Sequence, residues 1–154
     1  MARASLRHNH IAVNVCSALH QRVGVRCRVL TSDQRVVTGD ELYTYPDGLV
    51  ACGKLDVMMV LGTGTVRNPS LLYEILSPST RDHDLGEKLT RYKTIASLKE
   101  VLLIEQDVVD VVHVRRTATG WEEERYTSLA DVVPLLTLRR GLPVKDVYAR
   151  AFEI

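Results

Sequence analysis

The sequence predicts one α/β domain over residues 1–154, with a mixed central β-sheet flanked by helices. Three observations carry this. Short apolar, β-branched runs separated by turn residues recur from residue 25 to 127. Two other segments place apolar residues at helical rather than alternating spacing. The 154 residues, 45% hydrophobic and 25% charged, suffice for one sizeable core. No repeat, low-complexity stretch or linker divides the chain.

The first helix is expected over residues 5–23, with Ile11, Val15, Ala18 and Leu19 as its buried stripe. His8 falls near the centre of that face, where a lone histidine is usually a hydrogen-bonded core residue. His8-Asn9-His10 spells H-x-H, but no further ligand stands at metal spacing. Strands are expected in VRCRVL (25–30), RVVT (35–38), ELYTY (41–45) and DGLVAC (47–52). Arg26 and Arg28 alternate with apolar residues and read as a solvated face. Asp47 follows Pro46 at the head of a strand, from which an acid can project off the sheet edge into a cleft. Gly62-Thr63-Gly64-Thr65 completes no phosphate-loop spacing, and reads as a hairpin turn between residues 57–61 and the strand that follows.

That following strand, Leu71 to Leu76, is apolar except for Glu74 at its centre, and a buried carboxylate needs a partner. Ser77-Pro78-Ser79-Thr80 reads as a turn, and Thr80 or Asp82 can cap a helix running to about Ala96. At about 100° per residue, Leu85, Leu89, Tyr92, Ile95 and Ala96 share one arc. Lys88 falls inside it and Asp84 at its edge. A lysine so placed either snorkels outward or meets an anion, and Glu74 is the nearest candidate. Tyr92 reads as packing. Asp82, His83 and Asp84 are consecutive on a helix start, so they splay apart and suit capping better than metal binding. Further strands are expected at 100–105, 108–116 with Gln106-Asp107 as the turn before it, 121–127 as an edge, and 135–138. A small helix follows at 144–151.

A formal net charge of +1 provides no global attraction to nucleic acid or membrane. Cys16, Cys27 and Cys52 are odd in number and form no C-x-x-C pair, so they read as reduced thiols of a cytoplasmic protein. No secretory apolar segment or membrane-length run is visible, which predicts a soluble chain with no membrane partner. Aromatics at 5% offer no stacking platform for single strands.

Y-P-D-G-L-V at 45–50, L-Y-E-I-L-S-P-S-T at 72–80, D-x-G-x-K-x-x-x-Y at 84–92 and S-L-K-E-V-L-L-I-E-Q-D at 97–107 resemble successive signatures of the Uma2 family of restriction-endonuclease-like proteins. R-R-T-A-T-G-W at 115–121 and P-V-K-D-V-Y at 143–148 extend the likeness over nearly the whole chain. The resemblance implies a PD-(D/E)xK nuclease core that hydrolyses DNA phosphodiesters with Mg²⁺ or Mn²⁺, as a homodimer. It implies Asp47 and Glu74 as metal-binding carboxylates, with the Ile75 carbonyl as a third oxygen. The usual lysine of that motif is missing from Glu74-Ile75-Leu76, and the resemblance gives its role to Lys88, which periodicity also points inward. His8, Asp84 and Tyr92 are accessory candidates. Members of the family usually begin with a further segment carrying an acidic residue, whereas this chain starts almost at the helix whose H-x-x-I pattern matches His8 to Ile11. The expectation is therefore a sheet edge left unpaired, which favours dimerisation. The alternative expectation is an inactive nuclease fold that binds nucleic acid or another protein.

Overall fold

The computed structural model describes residues 4–78 and 80–154, so Ser79 of the expected turn lies outside the described residues. Helix α1 (Leu6–His20) begins at Ser5, whose Oγ accepts the His8 amide hydrogen at 3.0 Å, and it buries Ile11, Val15, Ala18 and Leu19 as the periodicity predicts. It stops short of residue 23, with the chain turning through Gly24 at φ 60°.

The strands follow in chain order: β1 (Cys27–Thr31), β2 (Arg35–Val37), β3 (Tyr43–Thr44), β4 (Gly48–Cys52), β5 (Val57–Val60), β6 (Thr63–Val66) and β7 (Leu71–Leu76). After a central helix come β8 (Glu100–Glu105), β9 (Val111–Thr117), β10 (Gly120–Tyr126), β11 (Val132–Pro134) and β12 (Gly141–Pro143). The main sheet has the order β1-β4-β7-β8-β9-β10. Only its β7–β8 pair is parallel, which is the geometry a helical crossover allows. A second sheet, β3-β2-β6-β5, lies apart from it, and β11 pairs with β12.

The alternation of β7 decides what each face carries. Leu71, Tyr73 and Ile75 join α1 and the closing helix α4 (Val144–Val147) in one core; Leu72 and Leu76 join Leu89, Tyr92 and Ile95 of the central helix region in the other. Glu74 has the parity of Leu72 and Leu76, so it faces the central helix. Gly48 is required beside it: a Cβ there would sit 2.1 Å from the Tyr73 ring, which packs directly over the strand.

The central helix opens with α2 (Arg81–His83), passes through a π-helical stretch at Asp84–Lys88 and closes with α3 (Leu89–Tyr92). It therefore ends before the expected Ala96, which is exposed. Thr94 supplies the reason: its hydroxyl donates to the Arg91 carbonyl at 2.5 Å, an acceptor that a longer helix would use, and is held there by accepting the Gly39 amide at 2.8 Å. Asp82 and His83 are exposed, while Asp84 is buried, so the three do splay apart. Thr80 is the N-cap residue, though its side chain makes no capping bond.

Four other expectations are corrected. Leu61 (φ 50°) and Gly62 (φ 79°) turn β5 back onto β6, so the hairpin closes within the small sheet rather than onto the strand of Glu74. Residues 135–138 form a turn, not a strand, because the Leu136 and Thr137 amides donate to the Glu100 carboxylate instead of to a neighbouring strand. The helix expected over 144–151 is divided into α4 and a 3-10 turn, Ala151–Glu153, with Arg150 between them in the left-handed region. Cys27 and Cys52 are not reduced thiols. They lie opposite each other in the β1–β4 register with sulfurs 2.01 Å apart, and only Cys16 is free. Among the described residues no helix is long and apolar enough to cross a membrane.

Candidate active site

The β4–β7 register pairs Gly48 with Tyr73, and continuing it by one residue brings Asp47 opposite Glu74. Asp47 Oδ2 accepts the Ile75 backbone amide at 2.7 Å and lies 3.3 Å from His8 Nε2 in the first turn of α1. Glu74, 3% exposed, accepts Lys88 Nζ at 2.7 Å and the Tyr92 hydroxyl on the same oxygen, Oε1. Lys88 also lies 3.7 Å from Asp84 Oδ1 and donates to the Tyr45 carbonyl at 3.4 Å. His8, Asp47, Glu74, Asp84 and Lys88 thus share the wall of one cleft of about 520 Å³.

Each of these placements follows from local structure. The π-helical turn is wider than an α-helical one, and within it Asp84 and Lys88 both face the sheet, where simple helical spacing left Asp84 at the edge. Ser5 ties the start of α1, the turn that carries His8, to the end of β8 by donating to Gln106 Oε1 at 3.2 Å. Tyr92, which the sequence offers as packing and as an accessory candidate, is a hydrogen-bond partner of Glu74. A tyrosine this buried seldom leaves its hydroxyl unpaired, and that rule could have found it.

The charges are unequal in a useful way. Burial pushes the Glu74 carboxyl up to about 8; Lys88 opposes this, and the Asp47 charge adds to it. Burial also works against the Asp47 carboxylate, but the His8 and Ile75 hydrogen bonds outweigh it and hold its pKa below the usual value. A Glu74 hydrogen bond contributes in the same direction. The Asp47 hydrogen bond raises the His8 pKa. Burial disfavours the Lys88 ammonium, yet Glu74, Asp84 and Asp47 together outweigh it and keep the lysine charged.

Among the described residues no three His, Cys, Asp or Glu side chains are grouped to hold a metal. A Mg²⁺-type ion does not require three: one or two carboxylates suffice while water fills the remaining positions. The donor set fits such an ion. Asp47 and Glu74 line one low-dielectric cleft, and the Ile75 amide and His8 engage Asp47 through Oδ2 while Lys88 and Tyr92 engage Glu74 through Oε1.

A third buried acid, on the other face of the sheet, carries no mark in the sequence reading. Glu100, 0% exposed, accepts His113 Nε2 at 2.8 Å, the Leu136 amide at 2.9 Å and the Thr137 amide at 2.6 Å. It lies on the α1 face of β8, away from the cleft, and clamps the 136–137 turn to the sheet. The signal was present: Glu100 heads an apolar run just as Glu74 interrupts one.

The architecture is that of a nuclease-like α/β fold. A solved structure described as "a putative nuclease belonging to DUF820", from Anabaena variabilis ATCC 29413, superposes with a TM-score of 0.75 over 97% of this chain and 84% of that one, at 20% identity. The chain belongs to the Uma2 family, described as "Putative restriction endonuclease", whose model matches residues 1–145. Two relatives in Synechocystis sp. (strain ATCC 27184 / PCC 6803 / Kazusa) are "Uncharacterized protein sll1609", 34% identical over 75% of this chain, and "Uncharacterized protein slr1290", 29% identical over 72%. The matches span 66% and 58% of those relatives, less than two thirds of their length.

Proposed function

We propose that the chain is a metal-dependent endonuclease that hydrolyses DNA phosphodiesters as a homodimer. The observation that carries this is the meeting of Asp47, Glu74 and Lys88 in one cleft, from two adjacent strands and the following helix, in a chain of this family. Asp47, Glu74 and the Ile75 carbonyl would hold Mg²⁺ or Mn²⁺. When bound, that ion would supply an acidified water and neutralise charge on the phosphoryl oxygens.

The remaining roles belong to this chain's own side chains. His8 and the Ile75 amide fix the orientation of Asp47 through Oδ2. Lys88, held charged and 15% exposed, projects into the cleft beside Glu74, where its ammonium can neutralise developing negative charge or orient a nucleophile. Tyr92 is too buried to reach a substrate and keeps Glu74 in place.

Calorimetric titration with Mn²⁺ tests the binding half of the proposal. One site is expected in the wild type and none in Asp47→Ala with unchanged circular dichroism; a wild type that binds no ion contradicts it. A second reading is favoured by the Glu74–Lys88–Tyr92 cluster, in which Glu74 Oε1 has two partners without any ligand. There the cluster is a structural ion pair in an inactive fold that binds nucleic acid or a protein, and Lys88→Met leaves stability unchanged or raises it.

A further inference from the structure

The free edges of the two larger sheets are not alike. In the main sheet, β10 exposes Glu122, Glu123, Glu124 and Arg125 and β1 exposes Arg28, charges of the kind that keep an edge from pairing with another chain. In the small sheet, β3 is two residues long. Its other edge, β5, carries no ionisable side chain from Val57 to Val66, and the flanking charges are spent on each other, Arg67 Nε lying 2.9 Å from Asp56 Oδ1.

Along β5 and its turn, alternate residues point outward: Val57 is 44% exposed, Met59 68% and Leu61 100%. Leu61 is unusual twice over. It occupies a left-handed turn position (φ 50°) that ordinarily goes to asparagine, aspartate or glycine, and it presents a whole leucine to solvent there.

We propose that β5 is the homodimer interface, pairing antiparallel with β5 of a second copy about a two-fold axis through Met59. That register sets Met59 against Met59 of the partner subunit and Val57 against Leu61 of the partner subunit. Both apolar stripes then fall on one face, and each four-stranded sheet continues into its copy. Self-complementarity argues for a second copy as the occupant: in this register Asp56 falls opposite Gly62 of the partner subunit, so no like charges meet, and every outward side chain of the stripe finds an apolar counterpart. The inference names the surface for the dimer of the proposed function; its own evidence is independent of metal and DNA.

The test is the mass from sedimentation equilibrium against concentration, without metal or DNA, for the wild type and for Met59→Lys, which places two ammonium groups face to face on the axis. The wild type is expected to become dimeric in the micromolar range. Met59→Lys is expected to stay monomeric at tenfold higher concentration, with the wild-type melting temperature when the two are compared at a concentration where both are monomers, because the side chain is exposed. A second measurement uses Met59→Cys in a Cys16→Ser background: mild oxidation should join two copies through residue 59, whereas Val13→Cys in that background, exposed on α1, should not cross-link. A wild type monomeric throughout, a Met59→Lys dimer as tight as the wild type, or equal cross-linking of both cysteines overturns the proposal. A monomer that cleaves DNA overturns it while leaving the nuclease reading intact, and a dimer that binds no metal does the reverse.

Discussion

Replacing Glu74 with glutamine keeps the side chain's shape and its Oε1 acceptor while removing the ability to ionise. In the folded protein Glu74 titrates near 8, against 4.5 for an ordinary glutamate. Below pH 4.5 the proton is bound in both folded and unfolded chains, and the favourable environment of the protonated form is fully expressed. Between 4.5 and 8 the unfolded chain has released the proton and the fold has not. Stability is then lost as pH rises, at up to about 1.4 kcal/mol per pH unit, until the fold itself ionises near pH 8. By pH 7 the accumulated loss is about 3 kcal/mol, a large part of the total stability of a small domain. Glu74→Gln does not suffer this loss. Urea unfolding between pH 4 and 8, without divalent cations, should give nearly equal stabilities at pH 4 and a glutamine variant more stable by about 3 kcal/mol at pH 7. Parallel pH profiles for the two proteins would refute the account of a proton held by burial and by Asp47.

Other outcomes follow from the same geometry. His8→Ala releases Asp47 from one of its two holds and should weaken Mn²⁺ binding about 10- to 100-fold, read by calorimetry, with little change in the melting temperature. Glu100→Ala leaves His113 and two turn amides without their acceptor and should cost on the order of 4 kcal/mol in urea unfolding, with Mn²⁺ affinity unchanged because the clamp is on the other face. Reducing Cys27–Cys52, which closes a separation of 25 residues, should lower stability by about 3 kcal/mol, seen as a reductant-dependent unfolding midpoint that Cys27→Ser removes.

Much of the site was legible because it rests on short-range periodicity. Leu71 to Leu76 could only be a buried strand, so Glu74 needed a partner, and the helical arc containing Lys88 supplied one; the 2.7 Å pair is the result. Asp84 was half legible, since the π-helical turn that rotates it inward has no signature in apolar spacing. What depends on long-range register was hidden. The Cys27–Cys52 bridge exists because β1 lies beside β4, and a count of three cysteines cannot reveal which two the sheet aligns. The turn at 136–137 was read as a strand because its leucines have strand-like composition; its amides instead satisfy Glu100, a partner 36 residues away for Leu136. His8 was placed correctly on the buried face of α1, but its contact with Asp47 depends on how that helix crosses the end of β4.

The central claim is most directly tested by nicking of a supercoiled plasmid in Mg²⁺ or Mn²⁺ by the wild type, Asp47→Ala and Lys88→Ala, each purified identically. The account predicts metal-dependent cleavage by the wild type that is lost in both variants. Absence of cleavage by the wild type, or cleavage that persists in both variants, would contradict it.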